Sequence, residues 1–156
     1  MSKSLKRVLA DADRLGLDIA PVRLDDGTTT AQQAADGVGS TVDQIVKSIV
    51  LRATAGPAHV LFLTAGGNYV DMKKASDVSG FDLEKADAAS IRQHTGFAIG
   101  GVSPLGHLTP IPTYFDPHIL TFDTIWAAAG TPHHVFEIDP NLLLTATGAV
   151  LADFTR

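Results

Sequence analysis

Two apolar runs, QIVKSIVLRAT at 44–54 and AHVLFLTA at 58–65, constrain the fold of this chain more than any other feature. Both are rich in β-branched and large aliphatic residues, which fit a pleated, buried surface, and a Gly56-Pro57 break separates them. The pair predicts two core strands. Such strands need further strands beside them and helices over them, and the rest of the chain offers short patterns of both kinds. Leu5, Val8, Leu9 and Ala12 recur at helical spacing and predict a helix over 4–16, ended by Gly16. IAPVRL at 19–24 reads as an edge strand, because Pro21 has no amide hydrogen for a central ladder. Thr28, Thr29 and Thr30 offer a cap for a helix running to about Asp36, with Gly37 and Gly39 as its stop.

Beyond the core pair, residues 66–96 predict a turn, a strand end, a short helix, a short strand and another helix. FAIGG at 97–101 reads as a strand running into a loop. Residues 111–130 predict a short strand, a proline-started helical turn and a strand ending at Gly130. HHVFEIDP at 133–140 alternates like a strand, Asn141 to Thr147 forms a last helix, and GAVLADF follows it. There is no repeat, low-complexity tract or linker. The expectation is an α/β (α+β) fold, one domain over residues 1–156, with a mixed sheet flanked by short helices.

Composition narrows the function. Apolar residues make up 45% and charged residues 19%, a balance suited to a soluble globular chain. The absence of cysteine removes disulfides, thiolate nucleophiles and zinc–thiolate sites, and fits a cytoplasmic setting. The first residues mix charge into a short apolar set, unlike a signal peptide, and no apolar run is long enough for a membrane helix. The net charge of −5 argues against a DNA-binding field. Lys3, Lys6 and Arg7 would share a helical face, and Lys73-Lys74 make a second basic point; both are expected to be solvated surface charge.

Lys47 stands out against this background. Side chains alternate faces along a strand, so Lys47 shares a face with Ile45, Ile49 and Leu51. A cation on an aliphatic face either snorkels to water or is held at a cleft, where it can grip a phosphate or polarise a carbonyl. The second anomaly is FAIGGVSPLGH at 97–107, where Gly100, Gly101 and Gly106 surround Ser103-Pro104. Glycine lets a ligand approach main-chain amides and proline stiffens them, which suits oxyanion binding; the pattern by itself leans instead to a structural bulge and turn. The loop has neither the dinucleotide nor the P-loop spacing. Ser103 is not in a nucleophile elbow. None of the six histidines has a recognised ligand spacing, so no metal site is expected, and His133 and His134 should point to opposite faces of a strand. Asp71, Asp116, Asp123 and Glu137 are too scattered to read as a carboxylate dyad.

In combination, STVDQIVKSIVLRA, TGFAIGGVSPLGH and AAAGTPHHVFEIDP followed by GAVLADF resemble the YbaK/prolyl-tRNA-editing (ProX-type) family of aminoacyl-tRNA deacylases. The resemblance runs in order from about residue 20 to 154. It implies a mixed, partly barrel-like sheet flanked by helices, and a free-standing domain that hydrolyses the ester joining a wrong amino acid to the 3′ adenosine of a tRNA, typically that for proline. The tRNA acceptor end and prolyl-tRNA synthetase are the implied partners, with no cofactor, no DNA and no membrane. The family's central lysine matches Lys47, which would orient the terminal phosphate. Its G-x-x-x-P loop matches Gly100 to Pro104: the amides around Gly100 and Gly101 would hold the ester carbonyl, with Val102, Ser103 and Pro104 against the substrate, while a ribose hydroxyl helps to activate water. The histidine that some relatives carry after the glycine-ended strand matches His133, with His134 as the alternative beyond Gly130. Thr28, Thr29 and Thr30 replace bulkier residues of relatives near the amino-acid pocket. A non-catalytic module that binds a tRNA end or a synthetase is the competing reading; the oligomeric state is open.

Overall fold

The computed structural model describes residues 1–25 and 30–156. Helix α1 (Lys3–Arg14) begins on Ser2, whose side chain accepts the Leu5 N–H, and turns Leu5, Val8 and Ala12 inward. The edge strand β1 (Val22–Arg23) follows, then α2 (Ala31–Val38), capped by Thr30. The α2 helix runs through Gly37, whose bare face packs on Leu24, and stops at Gly39, which adopts the left-handed region. Thr28 and Thr29 lie outside the described residues.

The predicted core strands are β2 (Ile45–Ala53) and β3 (His59–Ala65), an antiparallel pair in register from Val46 opposite Ala65 to Arg52 opposite His59. A 3-10 turn, Val42–Gln44, leads into β2, and after the pair come α3 (Met72–Ser79), β4 (Leu83–Lys85), α4 (Ala88–Thr95), β5 (Thr113–Phe115), a second 3-10 turn Pro117–Thr121, β6 (Ile125–Ala128), β7 (His134–Ile138), α5 (Pro140–Thr147) and β8 (Val150–Leu151). The described strands make one mixed sheet ordered β1-β7-β6-β2-β3-β5-β8, with β4 also paired to β2. The fold class is therefore the expected one.

Register divides the core. Val46 and Val50 face the same way as Leu61, Leu63 and Ala65, and with α1 and Phe97 they form the main cluster. On the opposite face, Leu51, Val60 and Phe62 pack with Ala75 and Phe154, while Ile45 packs separately with Ala34 and Ala35 of α2. Lys47 lies on this second face, between the two clusters.

One predicted strand is absent. Residues 97–101 form a turn, in which the Gly101 N–H donates to the Ala98 carbonyl at 3.0 Å. The apolar run FAI misled because only Phe97 is buried, on α1, whereas Ile99 is 59% exposed and has no ladder to join. Strand β6 likewise stops at Ala128, two residues short of Gly130.

Candidate active site

Strand β2 has β3 along one edge, but its other edge is shared. Strand β6 pairs with residues 45–46 and β4 with residues 51–53, leaving 47–50 with no strand on that side among the described residues. A cleft of about 640 Å³ is lined by Lys47, Ser48 and Ile49 of this stretch, by Trp126 to Ala128 of β6, and by Ile99, Gly100 and Val102 of the glycine loop. Thr30 also lines it, as do Ala31 and Ala34 of α2.

The Lys47 ammonium donates to the Asn68 carbonyl and lies 4.3 Å from the centre of the Tyr69 ring. Burial lowers its pKa from the ordinary lysine value, against the opposing charges of Asp43 and Asp116. An ammonium has three donors, and the Asn68 carbonyl takes one. Lys47 also lines the cleft, so its remaining donors are available to an anionic or carbonyl oxygen there.

The turn that receives Lys47 is itself held by two carboxylates. Asp116, 3% exposed, accepts the Ala65 N–H at 3.1 Å, the Asn68 side-chain amide at 2.9 Å and the His118 N–H at 3.0 Å. Asp43 accepts the Gly67 N–H at 2.8 Å and pairs with His118 Nε2 at 3.0 Å. Sequence reading quoted Asp43 only as part of STVDQIVKSIVLRA, left it and Asp116 without a role and missed Asn68 and Tyr69, because the segments that carry them meet only in the folded sheet.

The glycine loop divides its predicted residues among different tasks. Gly100 lines the cleft with φ +88°, and neither its N–H nor that of Val102 has a partner among the described residues. The Gly101 N–H is taken by Ala98, and Gly101 packs so closely on residue 131 that a Cβ would lie 2.9 Å from the Thr131 backbone. Ser103 is fully buried and its hydroxyl accepts the Leu105 N–H at 3.2 Å, so it shapes the loop. Pro104 lines a smaller hollow behind the loop, with Asp11 and His107. Gly130, φ +99°, packs on the Ser4 carbonyl of α1.

His133 and His134 line one and the same hollow, beside Arg23 and Thr131, and not the large cleft. The expectation of opposite faces fails because β7 begins only at His134. Thr131 folds the preceding residues into a turn, its hydroxyl accepting the His133 N–H at 3.1 Å and bonding His134 Nδ1 at 2.7 Å.

With this geometry in place, comparison with known proteins is decisive: residues 25–146 match the model of the aminoacyl-tRNA editing domain. The chain belongs to the aminoacyl-tRNA editing domain family. This editing domain is 28% identical to the uncharacterized protein YwhH of Bacillus subtilis over 140 residues, covering 90% of this chain and 88% of that one. It is 27% identical to the "Putative Cys-tRNA(Pro)/Cys-tRNA(Cys) deacylase EbsC" of Enterococcus faecalis over 128 residues, 81% of this chain and 77% of that one. A crystal structure described as that of "a putative trans-editing enzyme for prolyl tRNA synthetase" superposes on the editing domain with a TM-score of 0.92 and 42% identity, covering 100% of this chain and 99% of that one. No described helix of the domain is long and apolar enough to cross a membrane.

Proposed function

We propose that this editing domain is a trans-acting aminoacyl-tRNA deacylase that hydrolyses the ester of a mischarged tRNA, with a tRNA for proline carrying alanine, cysteine or serine as the substrate class. The observation that carries the reading is a half-buried ammonium, Lys47, lining one cleft with Gly100 and Val102, whose amides have no partner among the described residues. Lys47 orients the terminal phosphate. The two amides hold the ester carbonyl and take up the negative charge that develops on its oxygen when water adds. Collapse of that intermediate breaks the ester C–O bond, and the departing ribose hydroxyl takes the proton. The neighbouring ribose hydroxyl helps to activate the water, so catalysis is mainly positioning and oxyanion stabilisation.

One side of the cleft is apolar, where Ala31, Ala34, Ile45 and Trp126 line it, and this side suits a small side chain. An apolar pocket separates side chains that differ by a methylene by only about 1–3 kcal/mol, which is why a synthetase benefits from a second, hydrolytic check. The printed names of EbsC and of the structural neighbour support the choice of tRNA. Prolyl-tRNA synthetase in the cytoplasm is the partner this reading supplies.

The test is release of amino acid from tRNA for proline charged with alanine, cysteine, serine or threonine. Lys47→Ala is expected to lower kcat/KM by about 10²-fold or more. No release from any member of the panel would sink the reading, and retained tRNA binding without turnover would favour a binding module.

A further inference from the structure

Helix α1 lies outside the matched stretch 25–146, yet it is bonded to both ends of the loop that lines the cleft. Arg7 does this with one guanidinium: Nη2 donates to the Gly96 carbonyl at 2.7 Å and Nε to the Gly106 carbonyl at 3.1 Å. One helical turn along, Asp11 Oδ2 accepts the Gly106 N–H at 2.9 Å, while Arg14 holds the other Asp11 oxygen at 2.7 Å. The two main chains touch directly, since a Cβ on Gly106 would come 2.9 Å from the backbone of Arg7 and Val8. The Arg7 guanidinium carbon also lies 5.1 Å from the centre of the Phe97 ring. Far from being solvated surface charge, Arg7 is a tertiary bond.

The loop between Gly96 and Gly106 has no ladder to fix it, so its conformation depends on its ends, on a few internal bonds and on the packing of Phe97, Gly101, Val102 and Leu105. Amides that stabilise a developing oxyanion act only if they are already in place when the charge forms. A planar guanidinium can bridge two carbonyls at a fixed separation, whereas a lysine ammonium meets them only as a point charge. We propose that Arg7 and Asp11 are positioning residues for the deacylase: they clamp the loop at both ends and so fix the Gly100 and Val102 amides against the cleft. This rests on the deacylase reading of the site. Neither residue lines the cleft, so each acts through the loop.

The experiment combines amide hydrogen exchange with deacylation kinetics on Arg7→Ala, Arg7→Lys, Asp11→Ala and Asp11→Asn. In the alanine variants, exchange at Gly101, Leu105 and Gly106 should quicken by about tenfold or more while β2 and β3 are unchanged. The kcat should fall about 10- to 100-fold with KM within about threefold of wild type. Asp11→Asn keeps an acceptor oxygen and should restore both readouts, Arg7→Lys should restore neither fully, and added guanidinium ion should return part of the kcat of Arg7→Ala. Unaltered loop exchange, equal quickening throughout the sheet, or a change confined to KM would overturn the clamp. Should Arg7→Ala fail to fold, the Asp11 pair decides, since it alters a single loop bond. An inactive wild type would overturn the deacylase reading instead, and the exchange data would still decide for or against the clamp.

Discussion

At the scale of single residues, the cleft carries a cost in stability at Lys47, the cation the proposed deacylation depends on. Lys47 titrates below the ordinary lysine range because burial disfavours its charge, and Asp43 and Asp116 offset this only in part. Between its folded-state pKa and the unfolded value of 10.5, the unfolded chain binds more protons, so stability rises with pH across that window. Below the window the whole penalty is present. Lys47→Met should therefore lose deacylation while its Tm at pH 7 stays at or above that of wild type, measured by calorimetry. A lower Tm would mean that the bond to Asn68 and the Tyr69 contact outweigh the burial. Gly101 is a second such position. Gly101→Ala should lose about 1–3 kcal/mol in urea unfolding, because the added methyl meets the Thr131 backbone rather than a side chain that can move. Lys47 was legible in the sequence, since a cation among Ile45, Ile49 and Leu51 breaks a simple alternation. Its supports were not: Asp43, Asn68 and Asp116 come from three separate segments, and nothing local to any of them marks a shared turn.

At the scale of elements, the glycine loop is bound to solution pH through His107. Its Nε2 bonds the Ser103 carbonyl at 2.6 Å, its ring meets Phe97 edge-on, and its buried Nδ1 has no partner among the described residues. Protonation would place an N–H there with nothing to accept it, and burial accordingly lowers the pKa, against the opposing pull of the Ser103 carbonyl. The unfolded ring titrates at 6.5, so this contribution is intact above that pH, declines as pH falls below it, and levels off beneath the folded-state pKa. His107→Gln, which can still donate to Ser103 but does not titrate, should flatten the fall in Tm between about pH 7 and 5. His94 and His134, also shifted downward by burial, would leave a residual slope. The helices and the β2–β3 pair were readable because propensity and periodicity agree there, and at α2 the cap on Thr30 agrees as well. The segment 97–101 was misread because an apolar run has the same composition whether it joins a ladder or buries one ring. The Arg7 bonds were not readable at all, since a helix face shows its charge in sequence but not what folds back onto it.

For the molecule as a whole, net charge sets how a nucleic acid can be held. At −5, the protein has no broad basic field, and Lys73 and Lys74 are already paired with Asp77 and Asp153. On the deacylase reading, contact with tRNA is then expected to be confined to the acceptor end and very few phosphates. Affinity should fall only about fivefold to tenfold between 50 and 200 mM salt, against about 10³-fold or more for a protein that neutralises six to ten phosphates. A titration of KM or Kd against salt checks this, and a steep slope would point to a wider contact face. The α1 clamp has a further consequence, for the order in which the molecule can be completed. Its bonds to the loop span sequence separations of 89, 95 and 99 residues. At a synthesis rate of about 5–20 residues per second, the helix waits roughly 5–20 seconds before the loop exists. During that interval the Leu5, Val8 and Ala12 stripe is without its final neighbours, which makes the helix a place where a chaperone can intercept the nascent chain and where closure comes late in folding.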